Sequence, residues 1–82
     1  MNPVDLNSLL EFDCKVEYVI FRNEINGYTV LEVKVQDKKT VAVGKMPWVN
    51  TGESLHLVGR WKSHHNFGMQ FFVESYERFM PS

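Results

Sequence analysis

The sequence has 82 residues, 44% of them hydrophobic, with three prolines and five glycines, which suits one small globular domain with little room for a second core. A chain of this length buries only about 60% of its unfolded surface, so the fold must be well closed, and one cysteine, Cys14, excludes an internal disulfide and fits a reducing compartment. Net charge is -1, nine Lys plus Arg against ten Asp plus Glu, which argues against a strong stand-alone nucleic-acid binder and leaves room only for local, weak contact with phosphate.

The first twelve residues, "MNPVDLNSLLEF", place Leu6, Leu9 and Leu10 at nearly helical spacing, but the stretch is too short for an independent helix. It reads as a leader or a docked helical turn, residues 1–12, ahead of a barrel domain at 13–79 and a tail or linker start at 80–82. Asp5, Glu11 and Asp13 stand where a signal peptide would need a basic run and then an apolar stretch. Nothing approaches the roughly 20 apolar residues of a membrane span. The expected setting is cytoplasmic, with no membrane partner.

From Cys14 the pattern changes to period two. Val16, Tyr18 and Ile20 share one parity and Val19 and Phe21 the other, so the strand becomes apolar on both faces toward its end. A strand that changes its buried face bends, often with a bulge, and small barrels turn their corners this way. Asn26-Gly27 is the strongest turn signal in the chain and predicts a hairpin. The second strand, Tyr28 to Val35, puts Thr29, Leu31, Val33 and Val35 on one face and Tyr28, Val30, Glu32 and Lys34 on the other. "QDKK" makes a polar turn, and a third strand runs from Thr40 to Met46, where Gly44 marks a bend or a close backbone approach.

Pro47 to Glu53 is a connection too short for a full helix, and a fourth strand follows from Ser54 to Lys62 with Leu55, Leu57, Gly59 and Trp61 on one face. "SHHNFG" turns the chain into a fifth strand, Gln70 to Glu77, with Phe71 and Val73 on the core side and Tyr76 on the other parity, which implies one more bulge. Five short strands with Gly, Asn and Pro turns indicate an all-β fold, a small five-stranded barrel of OB-like type; an SH3-like barrel gives a similar spacing.

Three blocks then carry a resemblance: "VEYVIFRNEINGYTVLEVKV", "VAVGKMPWVNTGESLHLVGRW" and "FGMQFFVESYE". In that order they resemble the N-terminal OB-fold domain of RecD-like DNA helicases, the RecD/TraA family, often described as exodeoxyribonuclease V alpha subunit. The similarity runs from about Asp13 to Glu77. It implies a domain of a longer ATP-dependent helicase that moves 5' to 3' on single-stranded DNA in recombination and repair, with ATP and Mg held by motor domains. This chain carries no G-x-x-x-x-G-K-[ST] loop, because Gly44-Lys45 is followed by Met46 and has no glycine five residues before it. No ATPase or helicase activity, and no cofactor, is therefore expected of it alone. The sequence departs from the family after Gly59-Arg60-Trp61, where the family commonly runs His-Pro, a basic residue, an aromatic and Gly. Here the loop reads His64-His65-Asn66-Phe67-Gly68, which is less rigid and less cationic.

The adjacent histidines invite a metal or catalytic reading, but neighbouring side chains in a turn seldom converge on one ion, and the other ligands would have to come from His56, Cys14 or distant carboxylates. A histidine base also needs an orienting carboxylate and a nucleophile, and nothing local supplies them. No metal ligand or catalytic residue is assigned. Single strands are held by backbone charge and base stacking, and OB barrels bind along strands two and three and the loops between strands one and two and between strands four and five. Candidate nucleic-acid contacts are therefore Arg22, Tyr28, Lys34, Arg60, Lys62, His64, His65 and Phe67, with Glu24 and Glu32 opposing. The expected partners are single-stranded DNA and other domains of the parent helicase. Trp61 shares parity with the core, whereas Trp48 beside Pro47 suits an exposed contact. The competing function is a protein-interaction barrel with no DNA contact.

Overall fold

The computed structural model describes residues 8–66 and 68–79; the expected tail, most of the expected leader and Phe67 lie outside them. Five strands form: β1 Leu10–Arg22, β2 Tyr28–Val35, β3 Lys38–Lys45, β4 Ser54–His64 and β5 Gly68–Phe79. They close into a barrel in the order β1-β2-β3-β5-β4, with β4 pairing back to β1 and only the β3–β5 contact parallel. The expected five-stranded OB-like barrel is thus the observed fold. Among the described residues there is no helix, and so none long and apolar enough to cross a membrane.

β1 serves two partners, and its bends make that possible. Leu10 to Lys15 pair with β4, and Lys15 to Arg22 pair with β2. Extra residues at Glu17 and Ile20 shift the register on the β2 side, which supplies the bend that the mixed parity predicts. Leu10, Glu11 and Phe12 belong to this strand and not to a helical leader. Pairing with Leu57, Val58 and Gly59 satisfies their backbone, and the Phe12 ring packs 4.6 Å from that of Phe71. On β5 the extra residue is Glu74, between the pairs Gly59–Val73 and Val58–Ser75, and it returns Tyr76 to the core side.

The turns are tighter than the sequence suggests. Gln36 and Asp37 alone join β2 to β3, both at positive φ (49° and 67°), a two-residue hairpin of the primed kind whose twist matches the strands. Lys38 and Lys39 are therefore strand residues. β4 and β5 likewise pair out to His64 and Gly68, so Ser63, His64 and Gly68 of the expected six-residue turn are strand residues.

The core consists of alternate residues from every strand, among them Val16, Leu31, Val33, Leu55, Leu57 and Phe71, each fully buried and contributing about 1.5–3 kcal/mol. Met46 and Val49, from the β3 end and the β3–β4 connection, plug one end of the barrel. Two glycines let β5 enter between β3 and β4. A Cβ on Gly59 would lie 2.0 Å from the Phe72 carbonyl oxygen, and one on Gly44 would lie 2.9 Å from that of Val73. The close backbone approach expected at Gly44 is real, and Gly59 is the tighter of the two.

Candidate nucleic-acid interface

β3 and β5 pair only at Ala42–Phe71 and Val43–Phe72. Before those residues the strands splay, leaving a cleft between the outer face of β2–β3 and the β4–β5 hairpin. Its larger lobe, about 420 Å³, is lined by Ile20, Phe21, Tyr28, Val30, Val41, His64 and Gln70. Its smaller lobe, about 320 Å³, is lined by Glu32, Lys39, Thr40, Val41, Trp61 and Met69, so Val41 forms the ridge between them. Phe21 and Tyr28 are 52% and 38% exposed, large rings left in solvent where a base could stack. Lys45 stands directly across from Tyr28 in the ladder, and the exposed Lys39 borders the other lobe.

The sequence candidates fall in different places. Tyr28 and His64 share the larger lobe. Lys62 pairs with Gln70 on the hairpin and holds its ammonium 4.2 Å from the centre of the Phe72 ring, a cation–π contact on the same outer face. Lys34 continues the outer face of β2 toward its far end, 4.0 Å from Glu17. Arg60 is held by the Glu74 carboxylate at 2.5 Å, which competes with phosphate for it. His65 is exposed in the turn with its ring stacked 5.1 Å from that of His64, while the His64 Nδ1 accepts the Asn66 N–H. Phe67 lies outside the described residues.

Sequence reasoning missed the floor of the cleft: the apolar Ile20, Phe21, Val30 and Val41, with Gln70 beside them. Double-sided apolarity at the end of β1 suggests burial on both faces, but Ile20 and Phe21 are 56% and 52% exposed. The bulge at Ile20 turns both toward the outside. The available signal was an apolar pair adjoining the turn on a barrel too small to bury a second face.

Residues 9–81 match the family model for the OB-fold domain of the ATP-dependent DNA helicase YrrC. The chain belongs to that family. The RecD-like resemblance carried by the three sequence blocks is thereby upheld.

Within this helicase OB-fold domain, Arg22 has a different place from the one expected of a DNA contact. Its Nε donates to Thr29 Oγ1 at 3.1 Å, and its Nη2 donates to the Met46 carbonyl at 3.2 Å and to the Val49 carbonyl. Thr29, fully buried, directs its own hydroxyl toward the Gly27 or Met46 carbonyl. The guanidinium thus ties β1, the start of β2 and the β3–β4 connection into one corner. The sequence hides this role because Thr29 and Val49 lie 7 and 27 residues from Arg22.

The β1–β4 seam of the YrrC-type domain carries a separate polar cluster. His56 sits with Nδ1 2.6 Å from Asp13 and Nε2 3.1 Å from Glu11, and the hydrogen bond to Asp13, with Glu11 adding to it, raises its pKa above the ordinary 6.5. Arg78 bonds Glu53 at 2.5 Å and holds that carboxyl below its usual range. Burial, then the charge of Asp13, pushes the Cys14 thiol up to about 11, so it stays protonated and unreactive. Among the described residues no three His, Cys, Asp or Glu side chains are arranged to hold a metal ion.

Proposed function

We propose that this domain guides single-stranded DNA across its β2–β3 face toward the motor of a parent helicase, and that it performs no catalysis itself. The observation that carries this reading is the cleft, where the exposed rings of Phe21 and Tyr28 adjoin Lys45 and His64. Rings and cations interleaved along a groove are what a flexible polyanion with stackable bases requires. The parent on this reading is a 5'–3' helicase of the exodeoxyribonuclease V alpha type, acting in cytoplasmic recombination and repair. ATP and Mg would sit on motor domains, since a phosphate-binding loop is missing from this sequence.

A docking role is favoured by a different surface. Ile25 is 97% exposed and Trp48 73% exposed, and the two loops that carry them adjoin through Gly27 and Pro47. An apolar pair at one end of the barrel suits contact with another domain of the parent, leaving the cleft open.

Fluorescence anisotropy with a labelled oligonucleotide at low and moderate salt tests the proposal. The expected result is saturable, weak, salt-sensitive binding with a log–log salt slope of about -2, as about three lysine contacts would give. No saturable binding at low salt removes the guiding role and leaves docking on the motor or on another protein.

A further inference from the structure

We infer that the smaller lobe of the cleft is a base-reading subsite that favours a nucleobase with an exocyclic amino group, cytosine above thymine or uracil; this rests on the single-strand reading given above. The carrying observation is Glu32. Its Oε2 is shut off from solvent and has no hydrogen-bond partner among the described residues. An ionisable oxygen in that state is costly, and a ligand donor recovers what it lacks. The side chain lines a lobe of about 320 Å³ whose other walls are Val41, Trp61 and Met69 with Lys39 and Thr40 at the rim.

That composition is lopsided in a useful way. Three walls are apolar or aromatic and fit the faces of a flat ring, while one acceptor and one cationic donor, Glu32 and Lys39, adjoin its edge. Cytosine presents a donor, its 4-amino group, beside two acceptors, N3 and O2, on the edge that is free in a single strand. Glu32 accepts from the amino group and Lys39 donates to the acceptors. Uracil and thymine turn a carbonyl toward the same carboxylate, and two acceptors repel. The terminal carboxyl torsion of a glutamate is broad, so Oε2 swings toward the lobe without leaving a rotamer well. Glutamate accepting from the cytosine amino group is an established pairing chemistry for base edges. Val41 lines both lobes, so a strand stacked on Phe21 and Tyr28 delivers its next bases to Glu32 without a change of direction.

The test compares oligo-dC with oligo-dU of about 15 nucleotides, the upper end of what one OB fold covers. The two have the same charge and ring size and differ on the pairing edge. The 82-residue chain is expected to bind oligo-dC about five- to tenfold more tightly, the lower part of the range for one good edge contact. Glu32→Gln, which keeps the shape and can turn either an oxygen or an NH2 toward the base, is expected to equalise the two, chiefly by tightening oligo-dU. Equal affinity of the unsubstituted chain for both oligomers overturns the subsite and leaves the single-strand reading standing. Discrimination that survives Glu32→Gln overturns the role of Glu32. Failure to bind either oligomer overturns the single-strand reading and the subsite with it. Circular dichroism of Glu32→Gln confirms that the comparison is made on folded protein.

Discussion

The two sides of this barrel handle charge in opposite ways. Around β4, His56 faces Asp13 and Glu11 across the β1–β4 seam, and Arg78 of β5 faces Glu53 just ahead of β4. On the β2–β3 side Lys39 and Lys45 have no carboxylate partner among the described residues, and they adjoin exposed rings and an orphaned glutamate oxygen. A chain with net charge -1 can therefore still present a local cationic, stackable surface, because three of its ten acids, Glu11, Asp13 and Glu53, are taken up in ion pairs away from it. Overall charge reports the sum and hides the partition.

Substitutions can break or sharpen this contrast. The largest effect is expected where β4 and β5 press together. Gly59→Ala puts a methyl group against the Phe72 carbonyl, and since backbone must move, it should cost about 3 kcal/mol or more in urea unfolding and weaken both surfaces together. Arg22→Met should cost about 1–3 kcal/mol by stranding the Val49 carbonyl and taking one donor each from the Thr29 hydroxyl and the Met46 carbonyl. Its salt slope for DNA should match the unsubstituted chain's; a shallower slope would return Arg22 to the interface.

Phe21→Ala and Tyr28→Ala should each weaken single-strand binding by about 1–3 kcal/mol per lost stacking platform. As both rings are already exposed, unfolding free energy should change by only about 0.5 kcal/mol. Asp13→Asn on the seam should leave binding untouched. That substitution should instead remove a pH dependence. Because His56 has a folded pKa above 6.5, its stabilising contribution is complete below pH 6.5 and disappears as pH rises through the folded value. Thermal melts across this window should show Tm falling toward alkaline pH, with Asp13→Asn flattening the fall. The smallest effect belongs to the histidine turn. Substituting His64 and His65 together by alanine should leave Tm nearly unchanged, and zinc chelation should leave it unchanged in both proteins.

Most of the fold was legible because it follows from short-range rules. Alternation in β2 and β4, Asn26-Gly27, and the parity breaks at the end of β1 and at Tyr76 each carry their own geometry, and the barrel follows. Turn lengths were less legible. Gln36-Asp37 and His65-Asn66 are polar like their neighbours, and only pairing decides that Lys38, Ser63 and His64 are strand. The site was legible in part. Tyr28 and His64 line one lobe, whereas Arg22 is bonded to backbone carbonyls, and a cation beside a turn carries no mark in the sequence of the carbonyls that will surround it. Glu32 was read as a repulsive charge, since burial of one carboxylate oxygen is a property of the assembled cleft.

The short parallel contact between β3 and β5 also has a kinetic meaning. It joins Ala42 to Phe71, positions 29 apart in sequence, through two paired residues, whereas β4 and β5 zip along a local hairpin. Closing a long loop for so little pairing makes this the last seam to form and the first to open. The cleft lies directly beside it, so a strand lying on β3 and the hairpin at once would act as a removable staple, slowing amide exchange at Ala42 and Val43 while leaving the rest of the barrel as it was.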